Sequence, residues 1–80
     1  MAQVIINNST YTQLNTASDA YLIQNTTGSP IKIAIAGSLP APTASGFIIN
    51  HGQAIGNSDF EGLCWGITTQ PDGGSVEVAE

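Results

Sequence analysis

Short apolar runs alternate along the chain with clusters of Asn, Thr, Ser, Gly and Pro, at intervals of roughly ten residues, which is the rhythm of short strands and turns. The clearest strand is Ile31-Lys32-Ile33-Ala34-Ile35-Ala36. Its period of two sends Ile31, Ile33 and Ile35 to one face and Lys32, Ala34 and Ala36 to the other. The isoleucines are predicted to face the core, and the weakly polar opposite face to be covered by something else. Ala20 to Gln24 predicts another strand, ended by the turn chemistry of Asn25-Thr26-Thr27-Gly28-Ser29-Pro30. Gln3 to Asn7 and Phe47 to His51 predict two more, and Tyr11 to Asn15 and Gln53 to Ile55 two short or irregular ones. Leu63 to Thr69 alternates with Leu63, Trp65 and Ile67 inward. Ser75 to Glu80 follows with Val76 and Val78 on one side and Glu77 on the other, and Pro71-Asp72-Gly73-Gly74 predicts a hairpin between these two strands.

Gly37 to Gly46 is predicted as a long surface loop, because Pro40 and Pro42 fix φ and remove backbone donors. A loop of this kind in so short a chain is usually functional or ordered by a neighbour. No segment holds the i, i+3, i+4, i+7 spacing of an amphipathic helix over three turns. The expectation is an all-β fold: a small antiparallel β-sandwich or barrel of about six to seven short strands, with no significant helix. Residues 1–80 form a single domain, with 1–19 a candidate N-terminal arm.

Size makes this domain marginal. A chain of 80 residues buries only about 60% of the surface exposed when unfolded, and small domains commonly rely on a disulfide, a metal or a partner. Cys64 is the only cysteine and His51 the only histidine, which excludes an intramolecular disulfide and a zinc site of the usual Cys/His kind. No cofactor or metal is expected. A partner subunit remains, so a homo-oligomer, trimer or dimer, is expected.

Charge narrows the partners. Lys32 stands alone against Asp19, Asp59, Glu61, Asp72, Glu77 and Glu80, for a net charge of −5. Phosphate backbones and anionic membranes are bound through several Lys or Arg, so neither nucleic acid nor membrane is an expected partner. Only 9% of residues are charged, against roughly 25% in ordinary domains. That suits β-structure and a surface largely covered by other protein. The run Val4-Ile5-Ile6 would be an edge strand without the charge or proline that normally blunts one. It is expected to pair either with the chain's own sheet or with a neighbouring subunit by strand addition, and the low charge favours the neighbour. Val4, Ile5 and Ile6, with Leu39, Pro40 and Pro42 of the long loop, are therefore the candidate subunit or partner interface.

The apolar run after Met1 is too short for a secretion signal and lacks a basic region before it, and no segment reaches the length of a membrane-spanning helix. Synthesis and retention in the cytoplasm, with Cys64 reduced, is the expectation. The sequons at Asn8-Ser9-Thr10 and Asn25-Thr26-Thr27 are then chance matches.

Little in the sequence supports catalysis. A Cys64–His51 nucleophile and base pair is conceivable, but Cys64 sits between Leu63 and Trp65 as a small strand residue and His51 ends a strand before Gly52. Asp59 and Glu61, two apart, are more simply solvated acids than an acid–base pair. With Asp72 they lack the ligand pattern of a calcium loop. Trp65 on an alternating strand is expected as a core anchor rather than a sugar platform. No glycine loop leads into a helix to hold phosphate.

The run Tyr21-Leu22-Ile23-Gln24-Asn25-Thr26-Thr27-Gly28-Ser29-Pro30-Ile31-Lys32-Ile33 resembles a pattern of small tailed-bacteriophage virion proteins, in which a strand ending in Gln-Asn meets a Thr/Gly/Ser turn and a β-branched strand. Phe47 to Ile55 is similar to their apolar strand, Gly-polar step and short strand. Leu63-Cys64-Trp65-Gly66-Ile67 followed by Val76-Glu77-Val78 resembles their closing hairpin. The resemblance covers residues 20–80 and implies a non-enzymatic virion protein, either a head-decoration (cement) or a tail-associated one. The first of these is the expected function: an oligomer bound to the major capsid or another virion protein, made in the host cytoplasm and located in the virion. A tail or fibre binding module for glycan would instead expose Trp65 or Tyr21. An acidic inhibitor of a host protein would carry a contiguous carboxylate face.

Overall fold

The computed structural model describes residues 2–16, 20–59 and 62–80. Those residues form eight strands and no helix: β1 (Ala2–Ile6), β2 (Thr12–Gln13), β3 (Leu22–Asn25), β4 (Ile31–Ile35), β5 (Phe47–Ile49), β6 (Ala54–Gly56), β7 (Cys64–Thr68) and β8 (Gly74–Ala79). All pairs are antiparallel, in two four-stranded sheets of order β1-β8-β3-β6 and β2-β7-β4-β5. The fold is the expected all-β sandwich, with eight strands because the two residues of β2 pair with β7.

The strand order has a simple origin. First pairs with last, second with seventh, third with sixth and fourth with fifth. A long hairpin with its tip between β4 and β5 is thus wrapped so that successive strand pairs fall in alternate sheets. This is jelly-roll topology. Only β4 and β5 are joined as a sequence-local hairpin; every other connection crosses from one sheet to the other.

That wrapping corrects the hairpin predicted at Pro71-Asp72-Gly73-Gly74. The Gly73 amide does donate to the Gln70 carbonyl at 3.0 Å. Yet β7 and β8 lie in different sheets, so the turn is a corner between layers. Gly73 has φ of 75°, and a Cβ there would lie 2.5 Å from the Ile6 carbonyl oxygen. Turn residues announce a reversal but do not say which strand the chain will pair with next.

The N-terminal expectation is corrected too. Residues 2–6 are no arm: β1 pairs with β8 from Ala2↔Val78 to Ile6↔Gly74, and Ile6 is fully buried in the core. The apolar run thus satisfies its backbone within its own sheet, where period two drops Ile6 and Val4 onto the core side and leaves Ile5 outside.

The space between the sheets is filled by Ile6, Leu14, Tyr21, Ile23, Ile31, Ile33, Ile49, Ile55, Cys64, Val76 and Val78. Ile31, Ile33, Val76 and Val78 face as their alternation predicts. β7 is the exception. Cys64 lies in this core, and Gly66 lies against Leu14. Trp65 and Ile67 instead share the outer face with Lys32 and Ala34, their lateral neighbours on β4. The predicted inward set of Leu63, Trp65 and Ile67 is therefore one residue out of phase. All five residues of β7 are buried, so the strand has no polar side to give its phase away.

A second, smaller core explains that burial. Tyr11, Ala34, Trp65 and Ile67 form a cluster outside the β2-β7-β4-β5 sheet, with Ala36 and Ala44 packed on it. Ala44 belongs to the long loop after β4. The Tyr11 hydroxyl donates to the Ala44 carbonyl at 2.9 Å, and Trp65 Nε1 donates to the Ala36 carbonyl at 2.9 Å. The Ala34 and Ala36 part of the weakly polar face of β4 is covered by the chain's own loop.

Candidate functional site

Cys64, His51 and Asp59 each have a structural place. Cys64 is fully buried beside β4's far end, paired with Ile35. His51 is exposed at the other end of the sandwich, where its Nδ1 accepts the Gly28 amide at 3.1 Å. They form no catalytic pair. Burial pushes the Cys64 thiol above its usual pKa, against a smaller opposite pull from its hydrogen bond with Tyr21. The thiol therefore stays protonated and poorly nucleophilic. Burial, reinforced by the same bond and by the Asp59 charge, raises Tyr21 as well. Asp59 Oδ2 accepts the Gly56 amide at 2.9 Å and closes the β6–β7 turn; Glu61 lies outside the described residues. Among those residues no group of three His, Cys, Asp or Glu is placed to hold a metal ion.

Three asparagines serve as turn builders. Asn7 Oδ1 accepts the Ser9 and Thr10 amides, each at 2.9 Å. Asn15, nearly fully buried, joins the β2 end to β7 by accepting the Cys64 amide at 2.6 Å and donating to the Gly62 carbonyl at 3.2 Å. Asn25, fully buried, donates to the Ser29 and Ile49 carbonyls at 2.8 and 2.9 Å and accepts from the Thr27 amide at 3.0 Å. A sequon at a buried, fully bonded Asn25 offers no acceptor to a glycosyl transferase.

What remains is surface. Among the described residues, Ile5, Leu22, Leu39, Phe47 and Ile48 are the exposed large apolar ones. Of the six residues expected at an interface, Ile5, Leu39 and Pro42 are exposed, Val4 and Pro40 half-buried, and Ile6 is buried and unable to contribute. The structure does not gather them: Val4 and Ile5 lie on one sheet, and Leu39, Pro40 and Pro42 on the loop over the other. Leu22, Phe47 and Ile48 were missed. The available signal was that Phe47-Ile48-Ile49 is apolar in every position, so one face of that strand had to point away from the core.

Clefts among the described residues indent the surface. The first, of about 600 Å³, lies where the sheets part between β1 and β2, among Val4, Leu14, Val78 and the polar Gln13, Thr16 and Glu80. Its rim is tied by Glu80, which accepts from the Thr16 amide at 3.1 Å and the Thr16 hydroxyl at 2.7 Å. The second, of about 450 Å³, lies on the outer face of the other sheet, among Lys32, Ile48, Ile67, Pro30, Pro42 and Thr69. The long loop covers the Trp65 half of that face and leaves this half open, with Pro42 as one wall.

Comparison with protein-family models, curated proteins and solved structures finds no match to this chain.

Proposed function

We propose that the chain is a non-enzymatic structural protein of a phage virion, a capsid decoration (cement) protein that attaches to the capsid surface as an oligomer. The observation that carries this reading is the exposure of Ile48, Phe47, Leu39, Ile5 and Leu22 on a small domain with very few charges. Apolar side chains without a charged surround suit a surface that another protein covers. The buried, bonded state of Cys64 supports the non-enzymatic part. Tyr21 and Trp65 are both buried, which weighs against a tail or fibre module that stacks glycan on either ring. The described acids are scattered over turns and strand ends rather than forming one face, which weighs against an inhibitor mimicking nucleic acid.

The test is co-sedimentation. In a lysate of cells producing the phage, the chain should band with intact particles in a caesium chloride gradient. The purified protein should sediment as a dimer or trimer at micromolar concentration. A chain that stays at the top of the gradient, free of particles, overturns the reading.

A further inference from the structure

We infer that the open half of the β2-β7-β4-β5 sheet's outer face, from Lys32 to the edge strand β5, is a docking site for an extended partner segment that carries a carboxylate between aliphatic side chains. This names the partner chemistry for the proposed function and rests on that reading.

Charge complementarity is the first argument. Lys32 is the chain's only cation. It is half-buried, lines the cleft, and forms no ion pair among the described residues. Three of the four described acids are engaged elsewhere, and the fourth, Asp72, is exposed in the turn between β7 and β8. Glu77 accepts from Gln3 Nε2 on the other sheet at 2.9 Å, Glu80 holds Thr16, and Asp59 closes its own turn. In a molecule of net charge −5, most of the surface repels a carboxylate. The cleft beside Lys32 is the place that attracts one, and its apolar walls strengthen the attraction by excluding water.

Geometry is the second argument. The cleft volume of about 450 Å³ falls within the roughly 300–1,000 Å³ of ligand sites. It opens along β5, which has no strand on its outer side. Ile48 is Lys32's lateral neighbour on β5 and is 62% exposed. A segment adding to β5 as a further antiparallel strand would satisfy that edge and place every second side chain over the cleft. Its residue beside Ile48 would lie about 10 Å from Lys32, two strand spacings away. Lys and Glu side chains together span that distance across the Ile48 side chain. The flanking aliphatic residues would lie diagonally to Ile48, within reach of its exposed side chain.

The test uses a blocked heptapeptide alternating valine with threonine, with glutamate at its centre and valines two positions either side. Titration should shift the backbone amide resonances of Lys32, Ile48, Ile67 and Thr69. A glutamine-centred peptide should bind at least tenfold more weakly, and Lys32→Gln should abolish that preference while leaving the circular-dichroism spectrum unchanged. Ile48→Thr should weaken both peptides alike. Equal binding of the two peptides, shifts at β1 instead, or no saturation at millimolar peptide would overturn the inference. So would concentration-dependent shifts at these amides without peptide, which would make the occupant a second copy. Particles that band with Lys32→Gln and Ile48→Thr as they do with the unaltered chain would overturn the docking site and leave the proposed function standing. Failure of the unaltered chain to band would overturn that function alone, because the peptide titration is independent of particles.

Discussion

Asn25 shows how single side chains hold this fold. Its amide satisfies two carbonyls from different segments, Ser29 before β4 and Ile49 at the end of β5, while Asn25 itself is fully buried. Asn25→Ala takes the side-chain partner from the Ile49 carbonyl and the Thr27 amide, while the Ser29 carbonyl keeps the Thr27 hydroxyl at 2.8 Å. The expected loss is about 2–4 kcal/mol in urea unfolding, and a loss under about 1 kcal/mol would mean the site relaxes. Tyr21 gives a pH signature. Its folded pKa is raised by burial first, then by the Cys64 bond and Asp59, whereas the unfolded phenol titrates near about 10. The unfolded chain therefore releases its proton first. This contribution to stability is fully present below about pH 10 and declines as pH rises beyond it. Urea midpoints measured from pH 8 to 11 should fall at the alkaline end, and Tyr21→Phe should flatten the fall. Cys64 and Tyr11, both raised by burial, would account for what decline remains, the Cys64 part setting in first because an unfolded thiol titrates at about 8.5.

Among the elements, β1 is the one whose role changes most between sequence and structure. It contributes a five-residue ladder to β8 and the fully buried Ile6. Burying one isoleucine is worth roughly 1.5–3 kcal/mol. Losing it with the ladder, and leaving β8 as an unpaired edge, removes much of the roughly 5–15 kcal/mol that holds an average domain together. A chain lacking residues 1–9 is therefore expected to be unfolded by circular dichroism. A truncated chain that folds and merely loses its oligomer would restore the arm. β7 carries a second lesson at this scale. Lying second in its sheet with side chains buried on both faces, it reads as continuous apolar sequence, so its phase was settled by Gly66 fitting under Leu14 and by Trp65 finding the Ala36 carbonyl.

At the scale of the molecule, nested pairing makes the ends close last. The β4–β5 hairpin is local, whereas β1 and β8 join residues 2 and 78. Loop-closure entropy is met before such distant contacts repay it. Refolding by stopped-flow fluorescence of Trp65 is expected in milliseconds to seconds, with microsecond folding as the contrary result. The exposed apolar surface, the open edges of both sheets and Lys32, without an ion pair among the described residues, all belong to this scale. They define where a partner can sit.

The sequence by itself determined the local grammar: strands from period-two alternation at Ile31 to Ile35 and Val76 to Val78, breaks at Asn25 to Pro30 and Asp72 to Gly74, and the exclusion of an intramolecular disulfide by a single cysteine. Those follow from neighbouring residues alone, since alternation, fixed proline φ and residue counts need no partner strand. Only the tertiary structure decided that β1 belongs to its own sheet, that the Gly73 turn is a corner, that Trp65 faces outward under the long loop, and that Lys32 and Ile48 share an open cleft. The reason is physical. Backbone edges and apolar faces are generic in what they will pair with, so which edge meets which is set by the packing of the whole chain at once.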